Sequence, residues 1–218
     1  MAKKLIPFDT IVNGHPGFLD PEERPDWPAV FGNGHPIKLE IGFGNGSFLI
    51  DIAIQEPQIN FVGMDFYHKG IRKVITRMDR LHLKNIRVVY GNATEKIPFL
   101  FEEGELSEVF INFPDPWPKK RHHKRRLIQP EFAETLASKL EPGGRIRIAT
   151  DFESYALEIL EVLEAHPGFT NAHQDLKFLH ERGGIPKTKY EKNFLNAGKK
   201  IFYFEFLKEP DHALASVV

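Results

Sequence analysis

The chain of 218 residues contains no cysteine. That absence excludes disulfide scaffolds, Cys-ligated zinc, iron–sulfur clusters and thiol nucleophiles. No apolar run approaches the ~18 residues needed to cross a bilayer, so no membrane partner is expected. The opening stretch, Met1-Ala2-Lys3-Lys4-Leu5-Ile6-Pro7, is charged and then meets a proline. It does not read as a signal peptide, and a reducing cytoplasm is the expected setting. The histidines form no H-x-x-x-H pair and have no acidic companion at ligand spacing, so no metal site is expected. A Gly-x-Ser-x-Gly nucleophile elbow is also absent.

What is there suits a globular protein: 41% hydrophobic and 27% charged residues, in a chain long enough to bury a core without staples. The net charge of −1 hides a strong polarity. Residues 119–126, Lys-Lys-Arg-His-His-Lys-Arg-Arg, carry six positive charges and leave −7 on the remainder. An acidic body with one intensely basic segment points to a polyanionic partner.

Residues 1–36 are rich in proline and glycine and read as an irregular N-terminal arm, with Phe18, Trp27, Val30 and Phe31 available to anchor it. Residues 37–218 read as one domain. Strands are expected at Ile37–Ile41, Asn60–Asp65, Ile86–Tyr90, Glu108–Asn112 and Arg145–Thr150, with a weak one near Phe169–Gln174 and a last one at Ile201–Leu207. Helical spacing marks Ser47–Gln55, residues 68–82, a helix from Pro130 stopped by Pro142-Gly143-Gly144, and a face from Tyr155 to His166. Strands alternating with helices predict an α/β fold with a mostly parallel sheet. The last two strands, with no helix signal between them, predict an antiparallel end. No internal repeat is apparent.

In such sheets ligands bind at the carboxyl ends of the strands. Gly42-x-Gly44-x-Gly46 follows the first strand there. Ser47 stands where a dinucleotide fingerprint wants its third glycine. Glu40, two residues before the first glycine, would repel a phosphate but suit an ammonium or sulfonium. This favours an S-adenosylmethionine loop over a dinucleotide loop. Asp65, ending the second strand, can accept both hydroxyls of a ribose under either reading. Asn92 offers an amide to an adenine edge.

Asn112-Phe113-Pro114-Asp115-Pro116-Trp117-Pro118-Lys119 follows the fourth strand. Its three prolines fix a rigid loop that presents a carboxylate, an indole and an ammonium. That combination suits a purine base, and the basic run behind it suits phosphates.

The segment from Phe113 to Arg126 resembles the signature of the bacterial tRNA (guanine-N7-)-methyltransferases. So do Leu39–Gly46, Ala149-Thr150-Asp151 and Thr188-Lys189-Tyr190-Glu191, so the resemblance runs from about residue 37 to the last strand. It implies a Rossmann-like class I methyltransferase fold: a seven-stranded, mostly parallel sheet with helices on both faces and an antiparallel last strand. It implies S-adenosyl-L-methionine as donor, held at Glu40, Gly42, Gly44, Gly46, Asp65, Asn92 and Asp115. The family usually has Glu where Asp65 stands and often Asp where Asn92 stands. The resemblance assigns Lys119, Asp151, Thr188, Lys189, Tyr190 and Glu191 to the guanosine, and Arg121, His122, His123, Lys124, Arg125 and Arg126 to RNA. The implied substrate is the variable-loop guanosine of tRNA, position 46, and the family includes monomers and homodimers. Guanine N7 carries a free lone pair, so no base is required, and Asp115 is the expected catalytic carboxylate. It would either stabilise positive charge on the purine or grip its N1/N2 edge. Asp151 could instead cap the helix that follows it. An exocyclic-amino methyltransferase and an inactive RNA-binding module are the competing readings.

Overall fold

A computed structural model describes residues 5–173 and 176–210. Gln174, the expected end of the weak strand, lies outside these residues, as do Met1–Lys4 and residues 211–218. In chain order the elements are α1 (Phe8–Val12), β1 (Phe18–Leu19), α2 (Trp27–Phe31), β2 (Ile37–Ile41), α3 (Ser47–Gln55), β3 (Asn60–Asp65), α4 (His68–Leu81), β4 (Ile86–Tyr90), α5 (Ala93–Leu100) and β5 (Leu106–Asn112). A 3-10 helix (Lys120–Arg125) precedes α6 (Pro130–Lys139), β6 (Leu140–Thr150), α7 (Glu153–Glu164), β7 (Phe169–Asn171), α8 (Lys189–Asn196) and β8 (Phe202–Lys208).

The sheet order is β1-β4-β3-β2-β5-β6-β8-β7. All pairings are parallel except those of β8, which runs antiparallel to both β6 and β7. From β2 the chain winds outward through β3 and β4, then returns to lay β5 on the other side of β2. That reversal opens a crevice at the carboxyl ends of β2 and β5.

Period-2 alternation distributes the side chains between two large cores. Leu39, Ile41, Val109, Ile111, Ile146 and Ile148 pack against Ile97 of α5, Leu136 of α6 and Ile159 of α7. On the other face Phe61, Val88 and Phe110 meet Leu49 and Ile52 of α3 and Val74 and Ile75 of α4. β3 is buried at every position, as a central parallel strand covered on both faces should be. In α4, Gly70, Ile71, Val74, Ile75 and Met78 form the buried stripe that the helical spacing predicts.

Residues 5–36, expected as an irregular arm, carry α1, β1 and α2, and β1 makes the sheet eight-stranded rather than seven. Phe18 and Leu19 pair with Val88 and Val89. Two residues are too few to show a period, so this strand had no sequence signal. Trp27 fastens the arm: it is fully buried, stacks on Phe101 at 5.3 Å and donates its indole N–H to the Leu100 carbonyl at 2.9 Å. Other differences are local. Pro98, inside α5, masks that helix in the sequence. α8 occupies the stretch between β7 and β8 where no helix was expected. α6 ends at Lys139, and β6 begins before the Pro-Gly-Gly; the pairing jumps from Leu106–Leu140 to Glu108–Arg145 across a bulge.

One tetrapeptide does recur. His15-Pro16-Gly17-Phe18 and His166-Pro167-Gly168-Phe169 each lead into an edge strand. In both, the glycine N–H donates to the histidine Nδ1 at 3.0 Å, and Nε2 faces a helix carboxylate, Asp79 at 3.0 Å or Glu134 at 2.9 Å. Both edges are thus tied by one device to a helix packed beside them.

Candidate active site

The crevice holds a cavity of about 800 Å³, within the range that encloses a nucleoside-sized ligand. Gly42, Gly44, Asp65, Asn92, Asp115, Lys124, Arg125 and Arg126 all line it. Five separate stretches of chain therefore converge where the topology reverses.

The glycine loop forms one wall. Gly42, Gly44 and Gly46 have φ of 72°, 54° and 70°, where a side chain is strained. A Cβ at Gly42 or Gly44 would meet nothing within 4 Å, so both present bare backbone to open space. Gly46 differs: a Cβ there would lie 2.0 Å from Val74 Cγ2. It serves the packing of α3 on α4 rather than the cavity. Gly70 of α4, not singled out from sequence, is required for the same closeness, since its Cβ would fall 2.0 Å from the Gly44 carbonyl oxygen.

Asp65 accepts from the Gly44 N–H at 2.7 Å and from the Tyr67 N–H at 2.9 Å, one bond on each carboxylate oxygen. Each oxygen keeps a lone pair for a further donor. Burial raises its pKa, opposed by these backbone bonds. Asn92 caps α5, its amide oxygen accepting from the Thr94 N–H at 3.2 Å and its Nδ2 donating to Glu95 Oε1 at 3.0 Å, and it stands exposed at the cavity edge. Phe66 and Tyr67 line the cavity while 69% and 47% exposed. Sequence reasoning missed them, although two aromatics directly after a strand-ending acid were a usable signal.

Glu40 lies just behind the cavity, 2% exposed. Its Oε1 accepts from Asn112 Nδ2 at 3.3 Å, and Oε2 has no partner. Burial, with a smaller contribution from Asp65, pushes its carboxyl up to about 8, against the pull of Asn112 and Arg182. A buried acid with one oxygen unanswered fits a cationic group arriving from the cavity.

Opposite the glycines stands the proline-stiffened loop. Phe113 and Trp117, at its two ends, have φ of 56° and 42°. Non-glycine residues hold such angles only where their surroundings over-determine them, which is common at functional sites. The Phe113 N–H is held by the Ala149 carbonyl at 2.7 Å. Arg125 lies 5.0 Å over the Trp117 ring, and His122 meets it edge-on at 5.7 Å. Asp115 is thus an exposed carboxylate on a rigid mount.

The basic run is not uniform. Lys119, Lys120, Arg121, Lys124 and Arg125 are exposed, while His122 and His123 are half-buried. Arg126, expected among the RNA contacts, has a side chain 0% exposed. It donates to the Pro116 carbonyl at 2.8 Å, pairs with Glu158 of α7 at 2.5 Å and lies 4.8 Å over the Tyr155 ring. It is the bolt beneath the loop, buried and tied through Nε and Nη1. Lys119, Arg121, His122 and His123 stand outside the cavity lining.

The expected substrate segment also divides. Lys189 and Tyr190 are exposed; Thr188 and Glu191 are buried and form a capping box at the start of α8. Tyr190 packs on Phe113 at 5.0 Å, and burial together with the nearby Asp151 carboxylate raises its pKa. Asp151 does not cap α7, whose N-cap is Phe152 without a side-chain bond. None of Asp151, Thr188, Lys189, Tyr190 and Glu191 lines the cavity itself; Tyr190 meets the proline loop at Phe113, and the Lys189 N–H donates to Ser47 Oγ at 3.4 Å. Among the described residues no cluster of three or more His, Asp or Glu could hold a metal ion, and no helix is long and apolar enough to cross a membrane.

The fold resembles solved methyltransferases. An aminoglycoside resistance methyltransferase, NpmB1, matches 82% of this chain and 89% of its own, with a TM-score of 0.57 at 17% identity. The 16S rRNA methyltransferase KamB matches 87% of this chain and 96% of its own, also at 0.57, with 15% identity. The architecture is therefore that of the Rossmann-like class I methyltransferases. A family model described as "Putative methyltransferase" matches residues 34–204. The tRNA (guanine-N(7)-)-methyltransferase of Geobacter metallireducens is 40% identical over 201 residues, 91% of this chain and 95% of that protein. That of Pasteurella multocida is 36% identical over 201 residues, 91% of this chain and 79% of that protein. The chain belongs to the tRNA (guanine-N7-)-methyltransferase family.

Proposed function

We propose that the protein transfers a methyl group from S-adenosyl-L-methionine to N7 of a guanine in tRNA, the variable-loop guanosine at position 46, giving 7-methylguanosine in the cytoplasm. The carrying observation is the shared cavity, with bare glycine backbone and Asp65 on one side, an unanswered Glu40 oxygen behind them, and Asp115 with cations on the other. When bound, S-adenosylmethionine supplies a methyl group on a sulfonium centre, whose sulfur leaves with the bonding pair as N7 takes the methyl.

The residues position and stabilise. Glu40 Oε2 answers the ammonium of the methionine part, and the loop glycines admit that part to the backbone. Asp65 uses its two remaining lone pairs on the ribose hydroxyls. Phe66 offers a ring face to the adenine and Asn92 an amide to its edge. N7 has no proton, so no residue needs to act as a base. Positive charge ends on the purine, and Asp115 supplies a fixed carboxylate to stabilise it. Lys124 and Arg125 hold phosphates at the rim, with Arg121, His122 and His123 extending that surface. Lys119, Asp151 and Tyr190 border the guanosine, and Thr188 and Glu191 shape that border from below.

The test is methyl transfer from labelled donor to an unmodified tRNA transcript, followed by nuclease digestion and mass spectrometry. 7-Methylguanosine is expected, and it should vanish when the variable-loop guanosine is replaced. An N6-methylated adenine, or no transfer, would overturn the proposal.

A further inference from the structure

Behind the cavity runs a buried polar chain that leads away from it. Asn112, ending β5, donates from Nδ2 to Glu40 Oε1 at 3.3 Å. Its Oδ1 accepts from Arg182 Nη1 at 3.1 Å. The other nitrogens of Arg182 grip Glu191, Nε to Oε1 at 3.2 Å and Nη2 to Oε2 at 2.5 Å. Tyr203 donates to Glu191 Oε1 at 2.8 Å, and the Thr188 N–H to Oε2 at 3.1 Å. The guanidinium sits between the rings of Phe48, at 5.7 Å, and Tyr203, at 5.1 Å. Glu191 is 0% exposed, so it holds the start of α8 and touches no solvent.

We propose that Arg182 is a positioning residue that couples the donor cavity to the acceptor-side segment, so that filling the donor site firms the start of α8. The inference rests on the methyl-donor reading. The amide of Asn112 is the joint: its donor end serves Glu40, and its acceptor end serves Arg182. A cation against the free Glu40 oxygen favours the ionised carboxylate and strengthens the bond from Asn112 Nδ2. That fixes the amide with its oxygen toward Arg182, and bonds in such a chain reinforce one another in low dielectric. Arg182, held from that side, keeps its fork on Glu191 and with it the capping box. α8 also carries Tyr190 against Phe113, the first residue of the proline loop. Donor binding would therefore set the acceptor rim before tRNA arrives. By linkage, loosening α8 must weaken donor binding by the same factor.

S-adenosylhomocysteine is the probe, with its binding followed by calorimetry and amide exchange followed across 189–196. Residues 189–196 do not line the cavity; the Lys189 N–H reaches the start of α3 directly, donating to Ser47 Oγ at 3.4 Å, so the coupling is read from the amides of 191–196. In the wild-type protein, saturation should slow exchange of α8 about threefold or more. Glu191→Gln should weaken probe binding about threefold or more, although Glu191 never meets the cavity. Lys192→Ala, an exposed change on the same helix, should leave probe affinity unaltered. Binding heat with α8 exchange unmoved removes the coupling alone, and wild-type exchange decides this even if Glu191→Gln fails to fold. Absence of any binding heat removes the methyl-donor reading and the coupling with it.

Discussion

The glycine loop and the basic segment face each other across one cavity, and they put their residues to use in different ways. In the loop, chemistry prescribes place: a left-handed backbone favours glycine, and a buried acid with one oxygen unanswered suits a cation. In the basic segment, composition prescribes nothing of the kind. Arg125 and Arg126 are adjacent and identical, yet Arg125 stacks on Trp117 at the rim while Arg126 is locked beneath it on Glu158 and Tyr155. A run of cations tells that a surface is basic. Only packing tells which cations remain on that surface.

Four experiments, one of them a pH series, would break or sharpen this contrast. The largest effect belongs to Asp115→Asn. If the fixed charge opposes the developing cation, single-turnover methyl transfer should fall by about 10²–10³-fold with donor and tRNA affinities kept, the magnitude typical of losing one electrostatic stabiliser. If the carboxylate grips the guanine edge instead, tRNA binding falls as well. Wild-type turnover would reject both roles. Next is Arg126→Met. Removing one partner of a buried pair commonly costs ~3–5 kcal/mol, and the half-exposed Glu158 can recover water, so about 2–3 kcal/mol is expected. Urea midpoints should fall clearly for Arg126→Met and hardly at all for Arg125→Ala. Equal midpoints would erase the distinction between rim and bolt.

The same contrast explains what was legible in the sequence. The central strands and the helices between them follow from apolar periodicity: α3, β3 and β4 occupy the expected residues to the position. β1 was illegible because two residues carry no period, and α5 because Pro98 speaks against a helix. Gly42, Gly44, Asp65 and Asp115 were readable as cavity residues because each has a local geometric reason to sit at a strand end. Gly46, Arg126, Thr188 and Glu191 match the family pattern equally well, but their side-chain fate depends on Val74, Glu158 and Arg182, which lie far away in sequence. Arg182 itself gave no signal: a lone arginine in a polar stretch becomes informative only when Asn112 and Glu191 are brought to it.

Glu40 gives a prediction of similar size to the last, read through pH. Burial pushes its carboxyl in the folded state up to about 8, above the ordinary value of 4.5, so the folded state holds a proton that the unfolded state has released. The stability contribution is full below about 4.5 and is lost as pH rises through about 8. Between pH 6 and 8 the donor-free protein should therefore lose about 2 kcal/mol through this group. Glu40→Gln should flatten that slope in calorimetric melts taken across the interval. A donor with an ammonium reverses the preference, so binding near neutral pH should release a proton, visible as a dependence of the binding heat on buffer ionisation. An unchanged slope in Glu40→Gln would show that Glu40 is already ionised in the free protein.

The smallest effect per residue is expected at the rim, where it adds without specificity. Lys124 and Arg125 line the cavity and are exposed, so each can neutralise a phosphate while its neighbour Arg126 cannot. A phosphate contact contributes by releasing a counterion, so its signature lies in the salt dependence more than in any single affinity. Replacing both residues by alanine should reduce the slope of log affinity against log salt by about 1.4–1.8, at roughly 0.7–0.9 per contact. The loss should be the same for different tRNAs, because phosphates carry no sequence. Asp115→Asn should leave the slope alone. If the double alanine variant kept the wild-type slope, the cations at the rim would be solvated surface and tRNA would be held elsewhere on the molecule.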